Sequence, residues 1–466
     1  MIPGDHNCRI PFELVEQIFP DCDHESLLSC SEVCQSWLHT CRPLLFKTLK
    51  IDTSSIYRCA ILASLLGSKH STIPRYVEEI GFNFARHLLQ ADAYILGKED
   101  EVVSCVSLIQ SITGNLEDKA PFLRRLTISS KAGELLTYNN SNGSSYETTG
   151  IQTTFAPHFV RSFGHITQLD LHFVSEKPTS LIHFICSFPR LEVLKMFSGC
   201  ASDDHSDRVQ QSVTRYTLPS SIKSLKLGGD DSTIDADGLL YVYQWLNAHS
   251  PTRLVNLSVH TIDVSTVLNP NIQPFLAQCQ ELRFLHLGFN TWFFVAGRDD
   301  TALYDLSPLH RLERLAISYR NVAAPSIDVV LLRLIRRMIA TLSSSSLHRI
   351  TFNVSGSGFR VVQEQWAVLD TLLSSSGILS AMEVELIIPF SDITIADRTS
   401  EEDLAKAKEL FAKCGEQGRL SVIRAPFMMQ TRQWYQDPKE VYADDYNWGG
   451  FSDMEEMDWV FSRTSI

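Results

Sequence analysis

Cysteine and histidine are the side chains in this sequence whose types and spacing could support metal or nucleophilic chemistry. The chain contains 11 cysteines and 15 histidines. Cys30 and Cys34 lie one helical turn apart with His24 and His39 nearby in sequence, and zinc accepts such thiolate and imidazole ligands. The alternative is reduced cysteine buried in a helical core, which we favour because free cysteine behaves as a small apolar residue. We therefore predict no metal ion and no cofactor.

The cysteine pattern also bears on the cellular compartment. The sequence has no C-x-x-C pair and an odd number of cysteines, which argues against a closed disulfide framework. The first residues, MIPGDHNCRI, lack the basic and apolar regions of a secretory signal. No apolar run reaches about 18 residues, so no membrane-spanning helix is predicted. We expect reduced thiols and a location in the cytoplasm, the nucleus or both.

Motifs for enzymatic catalysis are missing from the sequence. G-x-S-x-G, H-E-x-x-H, G-x-x-x-x-G-K-[ST] and G-x-G-x-x-G do not occur. His172, His260 and His286 are assigned corresponding outward positions in three apolar strand patterns. We expect them to be solvated surface histidines, with a pH-sensitive or metal-binding patch as the alternative. The sequence predicts a protein that is not an enzyme and has no catalytic residues.

Residues 8–48 form the most distinctive segment, in which apolar residues recur at helical spacing in three short stretches. Pro11 suits the first turn of a helix, where its missing N–H would have no partner. Asp23 is predicted to be the N-cap of a second helix, and a third is expected to begin near Ser31. Because a bundle this small cannot bury all of its large apolar side chains, we expect an apolar docking face.

This segment resembles an F-box. The family pattern is an apolar-Pro opening, then Glu-Leu, Ile-Phe, Leu-Leu, Val-Cys, a Trp and Pro-x-Leu-Phe. The matching residues are Ile10-Pro11, Glu13-Leu14, Ile18-Phe19, Leu27-Leu28, Val33-Cys34, Trp37 and Pro43-Leu44-Leu45-Phe46. The chain departs from the pattern at Ile10, where Leu is commoner. The alternative interpretation is an N-terminal helical cap on a larger domain.

The resemblance implies a role and partners. F-box proteins are the substrate receptors of SCF-type (Skp1-cullin-F-box) ubiquitin ligases, so the segment would bind a Skp1-like adaptor and through it a cullin. Trp37 is the expected hot spot of that interface. The residues that match the pattern and are assigned to Skp1 contacts are Ile10, Pro11, Leu14, Ile18, Leu27, Leu28, Val33, Cys34, Trp37 and Leu38.

A six-residue pattern with apolar side chains at its first, fourth and sixth positions dominates the rest of the chain. Each copy predicts a short strand, and amphipathic helical patterns, the clearest at 325–342, lie between the copies. The nine clear copies begin at Val77, Leu123, Ile166, Leu191, Ile222, Leu254, Leu282, Leu312 and Leu347.

Alternating strand and helix at roughly 30-residue intervals resembles a leucine-rich repeat array. Only one copy has the family's Asn, at Asn290, and the intervals vary, so we expect an irregular arc. The competing interpretation is a doubly wound α/β domain, which the missing Gly-rich phosphate turn disfavours. The sequence thus predicts an α/β protein with an N-terminal three-helix F-box. An irregular leucine-rich-repeat-like solenoid would follow, with short parallel strands in an arc and helices outside.

The chain is predicted to comprise four segments. The F-box at 8–48 is followed by a helical linker at 49–75 and the repeat array at 76–430. Residues 431–466 form an acidic, aromatic tail. This tail is either a disordered peptide that docks on a partner or the polar cap that the end of a solenoid requires.

Two polar insertions, at 129–150 and 199–212, interrupt the array and are expected to be surface loops, with a substrate-gripping role as the alternative. Two final strand-like runs, at 384–389 and 420–425, end it.

The predicted function is that of a substrate-recognition adaptor. The combination of a short F-box, degenerate repeats and an acidic tail resembles the F-box proteins of mushroom-forming fungi. The alternative is a non-degradative interaction scaffold with leucine-rich repeats. The net charge of −13 disfavours nucleic acid and anionic membranes as partners, so the expected target is a protein. The residues assigned to its binding, on the outward side of the strands, are Lys195, Phe197, Lys226, His286, Ser318 and Asn353.

Overall fold

The structure, a computed structural model, divides the chain into two compact units. Residues 12–45 are the described part of the first, which we call the N-terminal unit, and Phe46–Pro426 is the second, which we call the sheet unit. The predicted tail at 431–466 lies outside the described residues, as do the insertion at 199–212 and all but the first two residues of that at 129–150. The described residues are 12–84, 99–130, 158–172, 178–196, 216–228, 236–249, 253–263, 272–290, 305–320, 325–354, 363–375, 377, 379–390 and 405–426.

The N-terminal unit consists of three helices, α1 (Phe12–Ile18), α2 (His24–Ser31) and α3 (Gln35–Leu45), with a 3₁₀ turn at Phe19–Asp21. The predicted N-cap is confirmed, because the backbone N–H of Ser26 donates to the Asp23 carboxylate at 2.7 Å. The third helix begins later than expected, since α2 extends through Ser31. The side chains that form the unit's buried core are Val15, Phe19, Leu27, Cys41 and Leu45.

The sheet unit contains one sheet of twelve parallel strands. Strand order follows sequence order from the first strand to the last, which excludes a doubly wound fold, where the order reverses at a switch point. The strands are β1 (Thr48–Asp52), β2 (Glu79–Phe84), β3 (Arg125–Ser130), β4 (Gln168–His172), β5 (Val193–Met196), β6 (Ser224–Leu227), β7 (Asn256–Asp263), β8 (Phe284–Asn290), β9 (Arg314–Arg320), β10 (Arg349–Val354), β11 (Glu383–Phe390) and β12 (Leu420–Pro426).

Helices lie between the strands and pack against one face of the sheet. This follows from a single buried cluster that contains both the helix side chains and alternate apolar residues of the strands. Additional helical residues occur at 158–163 and 405–410. The helices are α4 (Ile56–Gly67), α5 (Glu99–Leu116), α6 (Pro178–Cys186), α7 (Ala236–His249), α8 (Ile272–Gln278), α9 (Pro325–Ala340), α10 (Gln363–Ser375) and α11 (Ala412–Glu416).

All nine predicted strands and the two final runs are strands, but the sheet begins earlier than expected. The segment 49–75, predicted to be a helical linker, starts with β1, which pairs with β2 in parallel. Phe46, Leu49 and Ile51 in fact repeat the six-residue apolar pattern. The sequence alone does not single out this copy, because Phe46 also completes the preceding helical pattern.

Candidate functional site

The N-terminal unit exposes large apolar side chains although its core is closed. Leu14 and Ile18, one turn apart on α1, are 47% and 53% exposed, and Val33, between α2 and α3, is 60% exposed. Residues four apart lie on the same side of a helix, so Leu14 and Ile18 form one apolar strip. Exposed apolar groups that lie together commonly mark interaction sites. We call Leu14 and Ile18 the α1 strip.

The predicted adaptor-binding residues that the structure describes differ in their exposure. Leu14, Ile18 and Val33 are exposed and available to a partner, whereas Leu27 belongs to the core. Ile10 and Pro11 lie outside the described residues. Those that are partly buried are Leu28, Cys34, Trp37 and Leu38.

Trp37 has a structural role within the unit. Its ring meets that of Phe19 edge to face, with centroids 5.3 Å apart and planes inclined by 81°. This geometry is favourable for aromatic pairs. Trp37 therefore supports the packing of the three helices besides offering surface to a partner.

The cysteines of the N-terminal unit lie near one another. Burial, and then the neighbouring thiols of Cys30, Cys22 and Cys34, raise the pKa of Cys41 to about 11. A raised pKa keeps this thiol protonated at neutral pH and lowers its reactivity. Within the residues that the structure describes, no set of three His, Cys, Asp or Glu side chains is arranged to hold a metal ion.

The second candidate surface is the face of the sheet opposite the helices. One residue of each strand lies on this face between two apolar neighbours, which are buried in β1 to β11 and partly buried in β12. The strand register aligns these residues in what we call the middle row. From β1 to β12 the middle row comprises Lys50, Gly81, Thr127, Asp170, Lys195, Lys226, Ser258, His286, Ala316, Thr351, Glu385 and Ser421.

A buried carboxylate organises the charges on β3 to β5. Asp170 is 2% exposed, and its Oδ2 atom accepts hydrogen bonds from Arg125 Nη2 at 2.7 Å and Arg125 Nε at 3.1 Å. Lys195 Nζ lies 3.8 Å from the same oxygen, and Gln168 donates to the other oxygen at 3.2 Å. Burial alone would raise the pKa of Asp170, but Lys195 and Arg125 outweigh it and hold the pKa below its ordinary value.

His172, at the end of β4, belongs to the same charged group. Burial lowers its pKa to about 4; the Asp170 carboxylate opposes this shift, and the cations Lys195, Arg125 and Lys226 add to it. The imidazole is therefore neutral at physiological pH.

His286, on β8, joins three neighbouring strands. Its Nδ1 atom lies 3.2 Å from Ser258 Oγ on β7, and its Nε2 atom lies 2.7 Å from Ser318 Oγ on β9. The side chain is only 1% exposed, so the expectation of a solvated surface histidine is wrong here. His172 follows Leu171, the last apolar residue of its copy, whereas His286 precedes Leu287, the last apolar residue of its own, so the two do not occupy corresponding positions. The serine hydroxyls satisfy a buried imidazole that would otherwise destabilise the sheet.

The residues assigned to target binding all lie on this face where the structure describes them. Lys195, Lys226 and His286 are in the middle row, and Ser318 pairs in register with Asn353 two residues further along their strands, on the same face. Phe197 lies outside the described residues. Lys226, His286 and Asn353 are largely buried, so Lys195 and Ser318 are the more accessible of the five.

Sequence reasoning missed Arg125 and Asp170, which form a buried, hydrogen-bonded ion pair on this face. The signal was present, because Asp170 stands between Leu169 and Leu171 in the same position that Lys195 and Lys226 hold in their own copies. Aligning the copies column by column would have placed this carboxylate beside the two lysines.

Comparison with known proteins does not assign the chain to a family. The sequence matches no protein-family model and no curated protein at a significant level. Among the helices that the structure describes, none combines the length and apolar character needed to span a bilayer.

Proposed function

We propose that the chain is the substrate-recognition subunit of an SCF-type ubiquitin ligase, a receptor without catalytic activity of its own. In this proposal residues 8–48 are an F-box that binds a Skp1-like adaptor and through it a cullin. The observation that carries the proposal is the α1 strip, because Leu14 and Ile18 stay exposed although Val15 and Phe19 beside them close the core. An unpartnered apolar strip on so small a unit is explained by a protein that covers it.

The sheet unit would serve as the target-binding part. Its strands, ordered as in the sequence with helices on one face, fit a degenerate leucine-rich-repeat solenoid. The opposite face carries Lys195 and Ser318 where a partner can reach them. The protein would contribute proximity, since tethering a target raises its effective concentration near the ubiquitin-transferring subunits.

The competing proposal, a non-degradative scaffold, makes a different prediction in cells. The tagged protein is purified together with its partners, as wild type and as the double variant Leu14→Asp/Ile18→Asp. For a ligase receptor, cullin co-purifies with wild type and is lost from the variant, while bound target accumulates on the variant because its degradation stops. A scaffold would retain the same amount of target in both and carry no cullin.

A matched control keeps the comparison specific to the α1 strip. Tyr57 on α4 and Val103 on α5 are 74% and 61% exposed, and both belong to the sheet unit. The variant Tyr57→Asp/Val103→Asp adds the same charge at exposed apolar positions, and we expect it to retain cullin. Loss of cullin from this control as well would contradict the assignment of the contact to α1.

A further inference from the structure

Two serines and a histidine form a hydrogen-bonded chain across three strands of the sheet unit. His286 on β8 contacts Ser318 Oγ on β9 through Nε2 at 2.7 Å, and Ser258 Oγ on β7 through Nδ1 at 3.2 Å. The tautomer with its hydrogen on Nδ1 donates to Ser258 and leaves Nε2 to accept the hydrogen of the Ser318 hydroxyl. A hydroxyl on a base that a third group orients is the arrangement that activates a nucleophilic serine.

The three side chains differ in their access to solvent. Ser258 and His286 are buried, whereas Ser318 is partly exposed. The surrounding strands therefore hold the base in place, and a reactant can approach the hydroxyl end of the chain. Gly288, two residues after His286 on the same face, pairs in register with Ser318 and has no side chain that could separate the imidazole from this hydroxyl.

The strand on the other side of Ser318 supplies a hydrogen-bond donor. Ser318 pairs in register with Asn353 on β10, and both side chains lie on the face opposite the helices. Because neighbouring strands lie about 4.8 Å apart, the Asn353 carboxamide is within reach of an oxygen on a group attached to Ser318 Oγ. A carboxamide N–H at this position would stabilise the negative oxygen that forms when a hydroxyl attacks a carbonyl.

We propose that Ser318 is an acyl-acceptor site, which takes the acyl group of an activated carboxylic ester or thioester. Its Oγ atom forms a bond to the acyl carbon while its proton passes to His286 Nε2. The bond from that carbon to the alcohol or thiol then breaks, and the leaving group takes the proton from the imidazolium. Each chain gains one acyl group without turnover. The step needs neither an adaptor nor a bound target, so it does not depend on the function proposed above.

The direct test is acetylation of the full-length protein by p-nitrophenyl acetate, with the acetylated residues located by peptide mass spectrometry. Ser343 and Ser380 serve as reference serines within the same chain. Both are exposed, and each hydroxyl donates to a backbone carbonyl instead of a histidine. If exposure alone set the rate of acetylation, these two serines would react faster than Ser318.

We expect Ser318 to be acetylated at least about 100-fold faster than either reference serine, because a positioned general base contributes a factor of this size or more. Unfolding in urea should abolish the difference. Acetylation of Ser318 no faster than that of Ser343 and Ser380 in the folded wild type would overturn the proposal, regardless of how any variant behaves.

Substitution of His286 separates its role as a base from a structural role. His286→Ala should slow the acetylation of Ser318 about 100-fold, and added imidazole should restore part of the rate. Ser343→Ala is the matched control and should leave the reaction at Ser318 unchanged. An unchanged rate in His286→Ala, or a loss that imidazole does not restore although the circular dichroism spectrum matches wild type, would refute the base.

The two supporting side chains are tested in the same assay. Ser258→Ala should slow the acetylation of Ser318, whereas Ser258→Thr keeps the hydroxyl and should keep the rate. Asn353→Ala removes the donor and should cost a factor of about 10²–10³. Equal rates in wild type and Asn353→Ala would contradict the role of the carboxamide, and equal rates in the two Ser258 variants would contradict the role of the Ser258 hydroxyl in positioning the imidazole.

Discussion

Arg125 donates two hydrogen bonds, at 2.7 and 3.1 Å, to one carboxylate oxygen of Asp170 across the neighbouring strands β3 and β4. The carboxylate is almost inaccessible to solvent, and Lys195 approaches the same oxygen from β5. A charge is buried at this depth only where partners compensate for its lost hydration. Asp170 of the middle row therefore forms a buried ion pair with Arg125, which the surrounding strands must keep in register.

Replacing this buried carboxylate should destabilise the sheet unit strongly. Asp170→Asn leaves Arg125 and Lys195 without their shared counter-ion, and we expect the free energy of unfolding in urea to fall by about 2–4 kcal/mol. Glu313→Gln removes a partner of Arg283 from an exposed pair and should cost less than about 1 kcal/mol. Equal losses of unfolding free energy in the two variants would show that the buried pair of Asp170 stabilises the protein no more than an exposed ion pair does.

The lowered pKa of His172 predicts a pH dependence of stability. The pKa falls from 6.5 to about 4 on folding, so between these values the unfolded chain binds a proton that the folded protein does not. Stability should decrease as pH drops from about 6.5 towards 4, by about 3 kcal/mol from this residue. Urea unfolding at several pH values should show a shallower slope for His172→Gln than for wild type, whereas parallel curves would rule out this contribution.

Asp370 on α10 should stabilise the end of the sheet unit by capping α11. Its two carboxylate oxygens accept the backbone N–H groups of Lys413 and Cys414, each at 3.0 Å, and the side chain is 3% exposed. Asp370→Ala leaves both donors without an acceptor and should cost about 2–3 kcal/mol. Asp370→Asn keeps one acceptor oxygen and should lose less. Hydrogen exchange at residues 412–416 is the measurement; equal protection in all three proteins would contradict the cap.

Substitution of Trp37 and substitution of the α1 strip should have different effects on the stability of the N-terminal unit. Trp37→Ala removes the contact with Phe19 and should lower the unfolding free energy of the N-terminal unit by roughly 2 kcal/mol or more. Leu14→Asp/Ile18→Asp changes exposed positions and should leave that unit folded. Limited proteolysis of residues 12–45 distinguishes them, and rapid cleavage of the strip variant would mean that Leu14 and Ile18 also support the core.

The strand pattern could be read from the sequence because each copy buries three apolar residues against the same cluster. The same logic failed for β1, where Phe46 fits both a helical and a strand pattern and local sequence offers no way to choose. The burial of His286 could not be predicted from the local sequence either, because it depends on Ser258 and Ser318, which lie 28 and 32 residues away.

The orientation of α1 shows why the candidate site was only partly predictable. Leu14 and Ile18 form one apolar strip, and Val15 and Phe19 form another beside it, both with helical spacing. Periodicity alone cannot tell which strip faces the core. In the folded unit Val15 and Phe19 are buried, as are Leu27, Cys41 and Leu45, and the first strip is left exposed.

The most direct test of the proposed adaptor role is a calorimetric titration of the full-length protein with purified Skp1. We expect saturable binding by wild type and by Tyr57→Asp/Val103→Asp, and a loss of at least about 100-fold in affinity for Leu14→Asp/Ile18→Asp, whose fold is verified by circular dichroism. The absence of binding by wild type, or unchanged binding by the strip variant, would contradict the account, and the N-terminal helices would then be a cap on the larger domain.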